Sequence, residues 1–249
     1  MPSDQSLTCI LLAGGKGTRL ASVVGDLPKH LVPVGGEPFA ALQLRWLQGR
    51  GVSRVVYCVG HGADQIERYV REHGPRTLEY EFVRDGATLL GTGGAVRSAH
   101  DRLAFDDDVL VLYGDTLLDL DLRSLMAAHR AHGLGATMSV FHNDGRFDTS
   151  NASFDGRLVR YDKHSPSGAM TWIDYGASAL SVSTIAQIRP SEPSDLAELF
   201  QRLGDQGQLG GFVATERFYE IGTPSALQEL ESRLRSDSTP KTGANAHAH

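Results

Sequence analysis

The chain has little of what marks a secreted, membrane-bound or nucleic-acid-binding protein. It has two cysteines, Cys9 and Cys58, in separate apolar stretches, with no zinc-ligand or disulfide spacing. No apolar run approaches the roughly 18–20 residues of a membrane span, and residues 1–5 lack the pattern of a signal peptide. The net charge of −6 argues against a nucleic-acid or anionic-membrane partner. We expect a soluble, cytoplasmic protein with two buried free thiols.

Length and composition are those of an ordinary globular enzyme. The 249 residues are 41% hydrophobic and 22% charged, and this length suits one large α/β domain. The final stretch, 236–249, is small and polar without periodicity, which predicts a disordered tail. We therefore expect a single domain over residues 1–235.

The first half alternates between strand-like and helix-like patterns. Apolar, β-branched runs predict strands at 8–12, 54–59, 79–83 and 109–113, and helical periodicity predicts helices at 39–50, 63–72 and 93–99. This alternation predicts right-handed crossovers and a Rossmann-like, doubly wound, mostly parallel sheet. Residues 1–135 form the first half of this predicted domain.

The second half, 136–235, has a different rhythm. Short strands are predicted at 137–141, 152–154, 158–161 and 173–180, with turns between them. Helices are predicted at 195–202 and 224–234, the latter with proline in its first turn. We expect a small mixed or antiparallel section attached to the main sheet.

A glycine-rich loop follows the first predicted strand, where residues 12–20 have the sequence LAGGKGTRL. Glycines there allow backbone N–H groups to approach phosphate oxygens closely. A Walker A loop would need Ser or Thr after Lys16, where Gly17 stands, and a dinucleotide fingerprint would need glycine in place of Leu20. Both spacings fail, so the loop itself leaves two interpretations: an unclassified phosphate loop or a tight strand-to-helix turn.

With LPKHLVPVGGEPF at 27–39, the loop resembles the N-terminal signature of the sugar-1-phosphate nucleotidylyltransferases. The resemblance runs to about residue 234 and is strongest to the D-glycero-D-manno-heptose 1-phosphate guanylyltransferase-like branch. It implies the nucleotide-diphospho-sugar transferase fold, with Arg19 and Lys29 as catalytic contacts to the triphosphate. Fixed cations suit this reaction because negative charge develops on the phosphates in the transition state. The nucleotide-binding residues implied are Leu12, Ala13, Gly14, Gly15, Gly17, Thr18, Gly91, Thr92 and Gly93.

Three of those residues belong to a second glycine segment, LGTGGA at 90–95. In the family this segment passes beside the nucleobase, where small residues let the base edge meet main-chain groups. The form found here resembles that of guanylyl- and heptose-type members more than the glutamine-bearing form of thymidylyltransferases. This favours GTP, whereas the segment on its own is also compatible with the first turn of a helix.

A magnesium site is expected where the strand 109–113 ends. Gly114 and Asp115 follow that strand, and carboxylates at the carboxyl ends of parallel strands lie where α/β folds bind ligands. The resemblance makes Asp115 a catalytic Mg²⁺ ligand and places a second ligand in FYEIGTP at 218–224. Glu220 stands there in place of the usual aspartate, which moves the carboxylate by roughly 1–1.5 Å.

The acceptor residues are expected in the second half, in the segments NDGRFDTSN (143–151), YDK (161–163) and IDYG (173–176). By resemblance, Lys163 binds the phosphate of the sugar 1-phosphate, and Asp174 stands where the family usually has asparagine. From the residues alone, Lys163 is also compatible with a solvated strand end, and the Asn, Asp and Ser residues with ordinary turns. The full sugar-phosphate set is Gly114, Asn151, Lys163, Asp174 and Gly176.

Together these features predict a Mg²⁺-dependent enzyme that joins a nucleoside triphosphate, with GTP favoured, to a sugar 1-phosphate, with heptose favoured. Two alternatives stay open: a cytidylyl- or uridylyltransferase with another sugar or alcohol phosphate, and a non-catalytic nucleotide-sugar sensing subunit. The oligomeric state is left open. His129 and His132 share one predicted helical face, which we interpret as solvated because no third metal ligand is near in sequence.

Overall fold

The computed structural model describes residues 6–15, 20, 25–86, 88–164 and 166–238. Three predicted site residues, Gly17, Thr18 and Arg19, lie outside this part of the chain. The strands are β1 (Leu7–Leu12), β2 (Pro33–Val34), β3 (Glu37–Pro38), β4 (Val52–Val59), β5 (Glu79–Arg84), β6 (Val109–Tyr113), β7 (Thr116–Leu117), β8 (Ala136–His142), β9 (Ala152–Phe154), β10 (Val159–Tyr161), β11 (Trp172–Leu180), β12 (Leu209–Ala214) and β13 (Tyr219–Glu220). The helices are α1 (Phe39–Gly49), α2 (Ala63–His73), α3 (Gly91–Leu103), α4 (Leu122–His132), α5 (Val182–Ile185), α6 (Leu196–Asp205) and α7 (Pro224–Ser238), with a short 3-10 helix at Lys29–Leu31.

A nine-stranded sheet forms the centre of the molecule. Its main order is β5-β4-β1-β6-β11-β8-β12, and β9 and β10 extend it beside one end of β11. Strands β1, β4, β5 and β6 pair in parallel, whereas β11 runs antiparallel between β6 and β8. The prediction of a mostly parallel α/β sheet with a mixed section is confirmed.

Strands β1 and β6 and the second half of β4 are almost entirely apolar, and helices cover both faces of the sheet there. Leu11 and Tyr57 pack into the cluster on the face covered by α1, α2 and α4. Ile10 and Val56, one residue along, pack into the cluster under α3, α5 and α6. Two-sided burial of this kind explains why consecutive rather than alternating hydrophobic residues form these strands.

Cys9 and Cys58 are buried free thiols, as predicted, and belong to the clusters on opposite sheet faces. Burial raises the pKa of both thiols, that of Cys58 to about 12, so both stay protonated at neutral pH. Separation by the sheet explains why these two residues remain reduced side chains of the core.

The strands that were predicted have boundaries within two residues of the observed ones. The short strands β2, β3, β7 and β13 and the short helix α5 were not predicted. Strand β12 was not predicted, because Gly210 and Gly211 weaken the β pattern of LGGFVA. Helix α3 is longer than the predicted 93–99. Helix α7 continues to Ser238, beyond the predicted helix end at 234, and residues 239–249 lie outside the described part.

The prediction that His129 is solvated was also wrong, because its side chain is only 2% exposed. Helix α4 packs against β8, and the His129 Nδ1 atom lies 3.0 Å from Thr137 Oγ1. Its Nε2 atom lies 3.7 Å from Asp108 Oδ2, and burial lowers the pKa of the imidazole. His129 is thus a core residue of the helix–sheet interface.

Within the ranges described, no helix is both long and apolar enough to cross a membrane.

Candidate active site

A cavity of about 400 Å³ opens where β1, β4 and β6 end. It brings together the first glycine loop, the start of the 3-10 helix, the second glycine segment and the turn after β6. Carboxyl ends of parallel strands are the usual ligand site of open α/β sheets. The described lining is Leu12, Ala13, Gly14, Gly15, Lys29, His30, Cys58, Asp85, Leu89, Gly91, Thr92, Ala95, Tyr113, Gly114, Asp115 and Gly222.

Backbone hydrogen bonds fix the first loop and the turn after β6 against each other. The Ala13 amide donates to the Cys58 carbonyl at 2.9 Å, and the Gly114 amide donates to the Leu12 carbonyl at 2.9 Å. A Cβ atom at Gly114 would stand 2.8 Å from the Leu12 carbonyl oxygen, so only glycine fits there. Gly114 therefore permits the close approach of these two chain segments.

The two predicted catalytic residues that the structure describes form an ion pair in this cavity. Lys29 begins the 3-10 helix, and its Nζ atom donates to Asp115 Oδ2. The Thr116 hydroxyl donates to the other carboxylate oxygen at 3.2 Å. The Lys29 side chain is 14% exposed and that of Asp115 33%, so a charged ligand entering here meets a partly desolvated cation and anion.

The side chain of His30 supports the turn that carries Asp115. This residue was not identified from the sequence. Its Nδ1 atom lies 2.7 Å from the Gly114 carbonyl oxygen, and its Nε2 atom lies 3.2 Å from the Tyr57 hydroxyl. Burial lowers the pKa of His30 to about 4, so the ring is neutral at pH 7. Because a carbonyl only accepts, Nδ1 carries the hydrogen and Nε2 accepts from Tyr57.

The second glycine segment lines the cavity only in part. Gly91, with φ of +70°, and Thr92 belong to the lining, whereas Gly93 lies outside it as described. Cβ atoms at Gly91 and Gly93 would stand 2.5 Å and 2.8 Å from the Ser194 carbonyl oxygen and hydroxyl. Close packing against residues 192–195 therefore requires glycine at both positions. Contact of this segment with a nucleobase stays a prediction.

Glu220 reaches the rim of the cavity through a small β ribbon. Strand β13 pairs with β7 so that Glu220 lies opposite Thr116, and the Ile221 amide donates to the Asp115 carbonyl at 2.9 Å. A Cβ atom at Gly222, a lining residue, would stand 3.0 Å from Glu220 Oε1. The fold thus brings both predicted metal ligands to the same edge.

The two carboxylates at this edge, those of Asp115 and Glu220, would suit a metal ion that also binds oxygens of a substrate. Within the described ranges, no group of three or more His, Cys, Asp or Glu side chains is placed to hold a metal ion. A cation on Asp115 and Glu220 would therefore complete its shell with phosphate and water oxygens, which is the habit of Mg²⁺. The residues fit magnesium, and its binding stays a prediction.

The predicted acceptor residues gather beside the cavity, held by side-chain contacts. Asn151 Oδ1 accepts from the Asp174 amide at 3.0 Å, and Asp174 Oδ1 accepts from the Gly176 amide at 2.9 Å. Burial raises the pKa of Asp174 to about 6, although the Gly176 amide and the Lys163 charge act in the opposite direction. Gly176 has a φ of +98°, a conformation that requires glycine.

Lys163 lies outside the described lining of the cavity but close to its acceptor side. Its side chain is 48% exposed, and its Nζ atom donates to Asp195 Oδ2 at 2.9 Å. The sequence identified Asp195 only as the start of a predicted helix. Asp195 also accepts from the Thr92 hydroxyl at 2.8 Å, so it joins a cavity residue to the predicted acceptor lysine.

Comparison with known proteins assigns the family. The model of the MobA-like NTP transferase domain matches residues 9–219, which include both glycine segments, Lys29, Asp115 and Lys163. The chain belongs to the MobA-like NTP transferase domain family.

Two relatives that align with this chain over most of its length are named as enzymes that act on sugar 1-phosphates. The chain is 27% identical to the D-glycero-alpha-D-manno-heptose 1-phosphate guanylyltransferase of Aneurinibacillus thermoaerophilus, over 92% of this chain and 99% of that one. It is 26% identical to the glucose-1-phosphate cytidylyltransferase of Salmonella typhi, over 83% and 87%. The crystal structure of HddC from Yersinia pseudotuberculosis, complexed with GMP-PN, has a TM-score of 0.75 at 25% identity, over 92% and 99%.

These findings confirm the family predicted from the glycine loop and its following residues, and they confirm the enzyme class, a nucleotidyltransferase of the sugar-1-phosphate type. The cavity is called the triphosphate side and the cluster around Lys163 the acceptor side, after the predicted roles of their residues. The choice of base and sugar, the metal and the roles of individual residues stay predictions.

Proposed function

We propose that the protein transfers a guanylyl group from GTP to a heptose 1-phosphate, giving a GDP-heptose and pyrophosphate. The observation that carries the proposal is the Lys29–Asp115 ion pair in a cavity shared by both glycine segments. The choice of GTP and heptose is supported by a guanylyltransferase of heptose 1-phosphate that aligns over 92% of the chain. It is also supported by the likeness to HddC, whose structure contains GMP-PN.

The reaction proposed is a direct in-line displacement. An oxygen of the sugar 1-phosphate forms a bond to the α-phosphorus of GTP, and the bond from that phosphorus to the bridging oxygen of the β-phosphate breaks. Pyrophosphate leaves with the electron pair of that bond. The attacking oxygen is already anionic, so positioning and charge neutralisation supply the catalysis, and no general base is required.

The residues divide the work by position. Lys29, partly desolvated in the cavity, neutralises triphosphate oxygens, with Arg19 as a further predicted contact. Lys163 receives the acceptor phosphate, while Asn151 and Asp174 face the sugar. Asp115 orients Lys29 and, with Glu220, would hold Mg²⁺, which when bound neutralises charge on the phosphate oxygens. His30 keeps the Gly114–Asp115 turn in place through its bond to the Gly114 carbonyl.

One specific observation favours a second candidate, cytidylyl transfer to glucose 1-phosphate. A cytidylyltransferase of that sugar phosphate aligns with 83% of the chain at 26% identity, nearly equal to the guanylyltransferase. Both candidates use the same cavity and the same chemistry, so they differ in the base edge and the sugar ring that the site accepts.

A matrix of substrates tests both candidates. Pyrophosphate release is measured for GTP, CTP, UTP, ATP and dTTP against heptose and hexose 1-phosphates with Mg²⁺. We expect GTP with a heptose 1-phosphate to give the highest kcat/KM, by about tenfold or more over the next pair. A higher kcat/KM for CTP with glucose 1-phosphate would show that the protein transfers a cytidylyl group and not a guanylyl group. No release with any pair favours the non-catalytic sensor.

A further inference from the structure

One carboxylate, that of Asp195, contacts three parts of the molecule at once. Its Oδ1 atom accepts from the Thr92 hydroxyl at 2.8 Å and from the Ala197 amide at 3.0 Å. Its Oδ2 atom accepts from Lys163 Nζ at 2.9 Å. The two oxygens therefore have separate tasks: one is bound to the nucleotide-binding segment and the start of α6, the other to the predicted acceptor lysine.

The position of this carboxylate is fixed by the packing of its own segment. The Ser194 amide donates to the Leu90 carbonyl at 2.9 Å, and the Gly93 amide donates to the Ser194 carbonyl at 2.9 Å. The Leu196 amide also donates to the Thr92 hydroxyl at 2.9 Å. Residues 194–196 are thus bonded to the second glycine segment on both sides of Asp195, so the carboxylate cannot move independently of that segment.

Lys163 has the opposite character. Its side chain is a flexible four-carbon stem with a strongly hydrated charge, and 48% of it is exposed. An ammonium group has three donors, so a bond to Asp195 leaves two for a phosphate. The bond to Asp195 also fixes the direction of the Lys163 side chain. A lysine fixed in this way loses less entropy when the acceptor phosphate binds.

We propose that Asp195 is a positioning residue for the acceptor: it holds Lys163 in the direction of the incoming sugar phosphate and sets its place relative to the nucleotide-binding segment. This inference rests on the proposed role of Lys163 in binding the acceptor phosphate. Burial raises the pKa of Asp195, but its bonds to the Ala197 amide, Lys163 and Thr92 outweigh that effect and keep the pKa below the usual range. The carboxylate is therefore ionised at neutral pH.

The competing explanation is that Asp195 only caps α6. The substitution Asp195→Asn separates the two roles, because asparagine caps a helix as well as aspartate does. Its carbonyl oxygen can keep the Oδ1 bonds to Ala197 and Thr92, while the amide nitrogen replaces the oxygen that faces Lys163. Asp121→Asn is the matched control. Asp121 caps α4 with bonds from the Arg123 and Ser124 amides at 3.0 and 3.2 Å and lies outside the described lining of the cavity.

Steady-state kinetics of pyrophosphate release test the proposal with the best substrate pair. For Asp195→Asn we expect KM for the sugar 1-phosphate to rise about tenfold or more, with KM for the triphosphate within about twofold of wild type. Asp121→Asn should leave both KM values unchanged, and the two variants should melt within a few degrees of each other. Both KM values unchanged in an active Asp195→Asn variant would reduce Asp195 to a helix cap and overturn the proposal.

A binding measurement separates this proposal from the proposed function. The chain has only four lysines, Lys16, Lys29, Lys163 and Lys241, so 13C-labelled lysine side chains give a simple NMR spectrum. The Lys163 signal, assigned with Lys163→Met, is followed during titration with the sugar 1-phosphate. If the wild type releases no pyrophosphate but its Lys163 signal shifts, and Asp195→Asn weakens that titration about tenfold, the function fails and the positioning role stands. Equal titrations, or no shift in the wild type, overturn it.

Discussion

The two sides of the site are built by different forces. On the triphosphate side, backbone hydrogen bonds between neighbouring strand ends hold the groups, as in the bond from the Gly114 amide to the Leu12 carbonyl. On the acceptor side, side-chain groups form the bonds, as in the bond from the Asp174 backbone amide to the Asn151 side chain and the Lys163–Asp195 pair. The first side is therefore attached to the main chain of the sheet, whereas the second depends on contacts that single side chains make.

The charges differ in the same way. Lys29 is 14% exposed and sits in the cavity, while Lys163 is 48% exposed. An ion pair away from water interacts more strongly than one at the surface, where solvent and salt screen it. Substitutions on the triphosphate side should therefore reduce the rate of the reaction, and substitutions on the acceptor side should mainly weaken binding of one substrate.

The largest effect is expected from Asp115→Asn. Loss of the charge releases Lys29 and removes a predicted metal ligand, so kcat/KM should fall about 100- to 1000-fold while the sheet stays intact. Pyrophosphate release measures the rate, and circular dichroism and melting temperature verify the fold. Asp119→Asn, which removes an exposed carboxylate paired with Arg50, controls for the loss of one charge. Activity within about tenfold of wild type would remove Asp115 from the catalytic set.

A smaller and more selective effect is expected from Lys163→Met, which keeps the length of the side chain and removes its charge. KM for the sugar 1-phosphate should rise about 10- to 100-fold, with KM for the triphosphate within about threefold of wild type. Arg160→Met, an exposed cation on β10, is the matched control and should leave both values unchanged. A rise in KM for the triphosphate instead would place Lys163 on the other side of the site and break the comparison.

The sequence was sufficient for the parts of the molecule that depend on local pattern. The consecutive apolar residues of β1, β4 and β6 predicted buried parallel strands, and residues that follow such strands lie at one edge, as Asp115 does. The family resemblance supplied roles for these residues, and the comparisons confirmed the family. The place of Asp115 at the edge of the sheet was thus predictable from local pattern, whereas Lys29 was identified through the resemblance and not through a strand end.

The parts that were missed depend on contacts between distant segments. Asp195 lies 103 residues from Thr92, and no local pattern relates them. His30 lies 84 residues from Gly114, and its neighbours in the 3-10 helix, Lys29 and Leu31, gave no clear sign of its burial. His129 carried a clearer sign: with Leu122, Leu125 and Met126 it continues the apolar stripe of α4 at helical spacing, so its burial was open to prediction.

The smallest effect concerns Asp174, the half-buried carboxyl of the acceptor side. Burial raises the pKa of Asp174 to about 6, against roughly 3.9 in an unfolded chain. Between these values the native state binds more protons than the unfolded state, so this group's contribution to the free energy of unfolding falls as pH rises. The amide of Asp174→Asn does not titrate. As the pH rises from 4.5 to 7, the free energy of unfolding of the variant should therefore increase relative to that of the wild type by about 1–2 kcal/mol.

Urea unfolding of both proteins at the two pH values measures this difference, with Asp119→Asn as the control for loss of a carboxyl group. A stability difference that is the same at both pH values would mean that Asp174 is as well solvated as an exposed aspartate. The expected result would instead show that a carboxyl is kept beside Lys163 and Asp195 at a cost in stability. Such a cost is typical of groups placed for ligand binding rather than for folding. Among the described carboxylates of the triphosphate side, Asp85 is the one whose pKa burial also raises.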